Sequence, residues 1–82
     1  MKDLLLALVC HLVTDPDAVE VKETRSDGTT ILELKVAPHD LGRVIGRQGH
    51  TVMALRTLLR AIAARSHRRV VLEIVDITSH PK

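Results

Sequence analysis

Arg43-Val44-Ile45-Gly46-Arg47-Gln48-Gly49-His50-Thr51-Val52 carries two glycines three apart between two helical patterns. Glycine suits this place for two reasons. A tight helix–turn–helix junction often needs positive φ. A backbone without side chains also lets a ligand come close. The second helix begins here, so its first N–H groups lack partners within the helix and point outward. With the helix dipole they make an anion site. Arg47 at the tip, with Arg43 and His50 beside it, adds positive charge. Gly-x-x-Gly alone is a weak signal. Ile-Gly-x-x-Gly between two short helices becomes a strong one when the flanking elements follow in the right order.

Upstream, Leu32, Leu34 and Val36 alternate with Glu33 and Lys35, the pattern of a strand with one buried face. Pro38 stops that strand, and Ala37-Pro38-His39-Asp40 leads into a short helix around 39–45. Ser26-Asp27-Gly28-Thr29 is a turn whose Asp-Gly pair signals a hairpin, roughly 18–25 paired with 30–36. Before it, Leu5, Leu8, Val9 and Leu12 share one helical face, so 2–13 reads as an amphipathic helix that ends at Thr14-Asp15-Pro16. Downstream, Val52, Leu55, Leu59, Ile62 and Ala63 form the core stripe of a long helix, about 50–65. Ser66-His67-Arg68-Arg69 is a loop, 70–77 a third strand, and Thr78–Lys82 a frayed tail. The order α-β-β-α-α-β predicts an α/β (α+β) fold, a three-stranded mixed sheet covered by helices on one face. A right-handed β-α-α-β crossover makes strands two and three parallel neighbours. One domain is expected over 1–77, with 78–82 as its tail.

Composition narrows the function. The 82 residues include no Phe, Tyr or Trp, so the core is aliphatic and base stacking on aromatic rings is excluded. The single cysteine, Cys10, excludes an internal disulfide and a Cys-based zinc site, and the chain is expected in the cytoplasm. Five histidines share no metal spacing, and neither a catalytic set nor a Walker motif is visible. A non-enzymatic protein without cofactor or metal is expected. The apolar run Leu4–Cys10 after Met1-Lys2-Asp3 is short and has an acidic residue in its flank, so no secretory signal is expected, and no run approaches the length of a membrane span. Charge is divided unevenly. Residues 1–40 hold four Lys/Arg against eight Asp/Glu, a net of −4, and residues 41–82 hold eight against two, a net of +6. Seven of those eight are arginines, the residue suited to forked phosphate contacts, so a polyanion is the natural partner.

With Leu41 before it and Val52 and Leu55 after it, Val44-Ile45-Gly46-Arg47-Gln48-Gly49 resembles the core of a KH domain in its type II arrangement. Leu32–Pro38 running into Leu41–Gly46, and Ala54-Leu55-Arg56-Thr57-Leu58, are similar to the KhpA family of small bacterial single-KH proteins over about residues 3–77. The resemblance implies single-stranded RNA held in an aliphatic groove, about four nucleotides long. Its walls would be Val44, Ile45, Val52, Leu72 and the loop Ser66–Arg69, beside Arg43, Gly46, Arg47, Gln48, Gly49 and His50. It also implies a post-transcriptional regulator or RNA chaperone, a homodimer, and pairing with a larger KhpB-like KH protein linked to cell elongation and division. A module whose main task is dimerisation with another KH protein is the alternative.

Several residues admit two readings. Arg68 and Arg69 are either RNA contacts or solubilising charges, and Arg56 and Arg60, on the flank of the long helix, are either RNA contacts or partners of carboxylates. On the long helix, Ala54, Leu58 and Ala61 lie beside the core stripe. They form either part of a wide buried face or a self-association surface rimmed by Thr57 and Arg65.

Overall fold

Alternation along Thr29–Lys35 puts Thr30, Leu32 and Leu34 on one side, buried, and Ile31, Glu33 and Lys35 on the other. In the computed structural model, which describes residues 1–75, this run is the central strand of three. The strands are β1 (Glu20–Ser26), β2 (Thr29–Lys35) and β3 (Arg69–Val75). β1 and β2 are antiparallel, with Ser26 opposite Thr29 across the turn. Asp27 and Gly28 both take positive φ, 43° and 80°, as the tight hairpin turn favoured by Asp-Gly demands. β2 and β3 are parallel, with Leu32 opposite Leu72 and Leu34 opposite Ile74. The expected mixed sheet and its strand order are thus present. Residues 76–77 of the expected third strand, the domain end at 77 and the tail Thr78–Lys82 lie outside the described residues.

Three helices contribute to the core: α1 (Lys2–Cys10), α2 (Leu41–Ile45) and α3 (His50–Ala64). Leu5 and Val9 of α1, Val44 of α2, and Leu55 and Leu59 of α3 meet Leu32, Leu34 and Leu72 of the sheet in one aliphatic cluster. α1 is shorter than the expected 2–13. Its last turn tightens, with the Leu12 N–H donating to the Val9 carbonyl at 2.8 Å, and irregular turns carry the chain to Val13. The expected helix 39–45 is also divided, a 3₁₀ turn over Pro38–Asp40 followed by α2.

Asp40 explains why the chain takes this route. Its side chain is fully buried, and it ties the end of the α1 segment to the start of α2. The Thr14 N–H and hydroxyl donate to Oδ1 at 2.9 and 2.8 Å, and the Asp15 N–H donates to Oδ2 at 3.0 Å. Burial alone would raise the Asp40 pKa. The Thr14 and Asp15 donors, with His39 nearby, outweigh it and hold the carboxyl below its ordinary value of 3.8. A carboxyl depressed by folding stabilises the fold above its unfolded pKa, and that contribution is lost as pH falls through the folded value. Urea unfolding between pH 7 and about pH 3 should therefore show stability falling on the acid side. Asp40→Asn should be less stable at pH 7, since its amide presents a donor where the Asp15 N–H needs an acceptor. It should also lose much of the acid dependence. The remainder comes from Glu23, whose carboxyl the Arg25 side chain also holds low. An Asp40→Asn variant with the wild-type acid profile would remove the clamp from this account.

Candidate functional site

α2 ends at Ile45, and the Gly46 N–H closes its last turn onto the Gly42 carbonyl at 2.8 Å. Gly46 then leaves the helix at φ 81°, ψ 171°, a conformation essentially restricted to glycine. A Cβ here would stand 2.6 Å from Thr51 Cβ and 2.8 Å from the Thr51 backbone nitrogen. One 3₁₀ turn follows over Arg47–Gly49, closed by the Gly49 N–H on the Gly46 carbonyl at 3.0 Å. Gln48 (φ 57°) and Gly49 (φ 77°) are both left-handed and swing the chain into α3. The His50 N–H, the first of α3, donates to the Arg47 carbonyl, and Gly49 gives no side-chain cap to the N–H groups that follow. Arg47 and Gln48 stand exposed at the tip, and His50 is exposed beside them.

Farther along α3, Arg56 lies across the outer edge of β3. Its Nε and Nη2 donate to the Leu72 carbonyl at 3.3 and 3.1 Å. Between Arg56, Arg60 and Val70–Leu72 is a small recess of about 100 Å³. It shares Arg60, Val70 and Val71 with a hollow of about 310 Å³ that Arg68 and Arg69 complete. α3 ends in a Schellman arrangement. His67 takes the left-handed position at φ 56°, and the Arg68 N–H reaches back to the Ala63 carbonyl at 3.0 Å. Arg68 is half-buried and donates from Nη2 to Thr30 Oγ1 at 3.2 Å. The β3 edge beside α3 is therefore lined by four arginines. Among the described residues, none of the four forms an ion pair with a carboxylate.

The residues singled out from sequence fall into three groups. Arg43, Arg47, Gln48, His50 and Arg69 are exposed, and Ile45, Gly46, Gly49 and Arg68 are half-buried. Arg43 is partly engaged, its Nε 3.7 Å from Asp40 Oδ1. Val44 has no accessible surface, and Val52 and Leu72 retain 7% and 4%. These three were expected on the groove wall. They are core side chains: α2 brings Val44, α3 brings Val52 and β3 brings Leu72 into the aliphatic cluster with Leu32 and Leu34. For Arg56 and Arg60, pairing with carboxylates was one of two open readings. Arg56 binds a backbone carbonyl instead, and both line the recess. The signal for this was the strand order: β3 at the sheet's edge leaves outward carbonyls that an arginine on the adjoining helix flank can reach.

Ala54, Thr57, Ala61 and Arg65 are exposed, and Leu58 keeps 42% of its surface accessible. Leu58 is not part of the monomer core, which removes the wide-buried-face reading of this helix. Met53, at 58%, is a second exposed apolar residue on α3 that the sequence reading had not singled out. Among the described residues, no helix is long and apolar enough to cross a membrane.

Comparison with known proteins agrees with this architecture. The family model described as KhpA/KhpB, KH domain, matches residues 2–74. The RNA-binding protein KhpA of Clostridium acetobutylicum is 48% identical over 75 residues, 92% of this chain and 100% of that one. The RNA-binding protein KhpA of Caldanaerobacter subterraneus subsp. tengcongensis is 47% identical with the same coverage. That of Chlamydia caviae is 43% identical over 76 residues, 93% of this chain and 97% of its own. No solved structure gives a significant match. The chain belongs to the KhpA/KhpB family of KH domains.

Proposed function

We propose that this protein binds single-stranded RNA, without catalysis, along the track from the Gly46–Gly49 turn to the β3 edge. The observation that carries the proposal is that α3 serves both ends of the track: no side chain caps its N-terminus, where Arg47 and Gln48 stand exposed, and its flank brings Arg56 and Arg60 to the β3 edge beside Arg68 and Arg69. The relatives' names, RNA-binding protein KhpA, support the same polyanion. Arg47, His50 and the α3 N–H groups hold phosphates. Gln48, Ile45 and the arginines along β3 meet sugar and base edges, and Val44, Val52 and Leu72 hold the floor rigid. A groove for about four nucleotides engages roughly two to four phosphates, so log K should fall with log[salt] at a slope of about −1.5 to −3. Anisotropy titrations of a labelled oligonucleotide over a salt series test this. A flat response, or equal affinity for a perfect duplex, would overturn the groove and leave a non-specific basic surface.

The working form in this proposal is a homodimer through the exposed face of α3, centred on Ala54, Leu58 and Ala61. Exposed Leu58 between small neighbours supports it, because a two-fold interface uses one patch twice and alanines allow close approach. Leu58→Asp should give a folded monomer, since the new charge is buried without a partner only in the dimer. Sedimentation decides it, and a monomeric wild type at tens of micromolar (roughly) ends the idea. Family membership supports a cytoplasmic post-transcriptional regulator or RNA chaperone linked to cell elongation and division. It also supports pairing with a larger KhpB-like KH protein, whose domain the same family model covers.

A further inference from the structure

Six residues of α3 and its C-cap lie along one side of the helix, flanked by exposed Met53, Arg60 and Ala64: His50, Ala54, Thr57, Leu58, Ala61 and Arg65 are all exposed. At about 100° per residue they fall within an arc of roughly 100°. Their spacing is symmetric about the midpoint between Thr57 and Leu58. Reversing the helix lays Ala54 on Ala61, Thr57 on Leu58 and His50 on Arg65. A two-fold axis across the helix makes this reversal, so an antiparallel α3 pair matches the strip with itself. The Thr57 methyl meets leucine where the helices cross, and alanine meets alanine about one turn to either side. Each helix C-terminus lies beside the other's N-terminus, the favourable arrangement of the two dipoles. A parallel pair would instead press Arg47 and His50 against their own copies.

We infer that Arg65 acts in trans: in the homodimer its guanidinium completes the phosphate site that Arg47, His50 and the α3 N-terminal N–H groups form on the other protomer. This rests on the RNA-binding and dimer readings above. Arg65 and His50 each stand about 11 Å along the helix from the pairing midpoint, so the two ends coincide in the antiparallel pair. The ion pairs among the described residues engage Arg25, Lys35, His39 and Arg43, and neither Arg47 nor Arg65 has a carboxylate partner there. Bringing these cations together without an acid is repulsive until a polyanion arrives. RNA and dimerisation must then strengthen each other by the same factor.

The test is complementation between two defective variants. Arg65→Glu and the double variant Arg47→Asp/Gln48→Asp are prepared separately, mixed in equal amounts and allowed to exchange subunits. Binding of a labelled single-stranded RNA is followed by anisotropy. Each variant alone should bind at least about 10-fold more weakly than wild type, since charge-assisted contacts are lost. The mixture should recover a wild-type phase in about a quarter of its sites, those pairing an intact turn with an intact Arg65 of the partner subunit. Arg65→Ala gives a second readout: its RNA-free dimer should be tighter than wild type although its RNA affinity is lower. A mixture no better than the average of its components, or an Arg65→Ala variant with unchanged RNA affinity or a weakened RNA-free dimer, overturns the inference while the groove and dimer stand. A wild type that is monomeric or binds no RNA overturns the earlier reading first.

Discussion

Replacing Arg47 and Gln48 together by Asp should abolish RNA binding and leave the fold untouched. Both side chains are exposed at the tip of the turn and neither contributes to the core. Gln48 already sits at φ 57°, and Asp is among the few residues that visit this region readily. Two carboxylates in front of α3 suit its dipole, so melting should be unchanged or slightly raised. Binding faces the opposite sign. Each charge-assisted contact removed costs about 1.5–3 kcal/mol, and the new carboxylates repel the phosphate they displace. The Arg47 contact at about 1.5 kcal/mol and the neutral Gln48 contact at about 0.5 kcal/mol, both lower figures, make about 2 kcal/mol, roughly a 30-fold loss of affinity before the repulsion is added. Anisotropy with a short single-stranded RNA reads the loss, and circular dichroism checks the fold. A folded double variant with wild-type affinity would place the RNA elsewhere on the molecule.

The topology was legible because each signal in the chain was local and strong. Asp27-Gly28 fixed the hairpin, alternation along β2 told its two faces apart, and the two glycines marked the helical junction. Crossover handedness then left one arrangement for β3. The features that escaped share a different property: they join residues far apart in sequence. Asp40 reads as an ordinary acid at a helix start. Its partners lie 26 and 25 residues earlier, and no periodicity reports them. Arg56 reads as a surface charge until β3 is known to be an edge strand with an outward carbonyl. Val44 entered the groove wall through the family resemblance, and a five-residue helix carries too few positions for its wheel to have separated core from wall. Leu58 went the other way: its offset from the core stripe was readable, and its exposure follows from that offset.

The glycines also show how alike two positions look in sequence and how unlike their demands are. Gly46→Ala should be among the most damaging single changes in the chain, and Gly49→Ala a mild one. At Gly46 two penalties add. The conformation at φ 81°, ψ 171° costs an L-residue on the order of 1–3 kcal/mol. A methyl group would also press into Thr51 Cβ and its backbone nitrogen, which the first turn of α3 holds in place. At Gly49 only the first kind of penalty applies. Its φ of 77° and ψ of 10° lie in the left-handed region, and a Cβ there meets nothing within 4 Å. Alanine should cost about 1–2 kcal/mol, and asparagine, which tolerates this region, less. Denaturant unfolding should therefore rank the variants Gly46→Ala well below Gly49→Ala, with Gly49→Asn nearest wild type. A domain this small has only about 5–15 kcal/mol in total, so the first change should remove a large share of it. Adding Thr51→Gly to Gly46→Ala should recover part of the loss by clearing the Cβ overlap, although the backbone nitrogen and the φ penalty remain. Equal destabilisation at the two glycines would mean that Thr51 yields easily, and the close packing of α2 against the start of α3 would not be what shapes the turn.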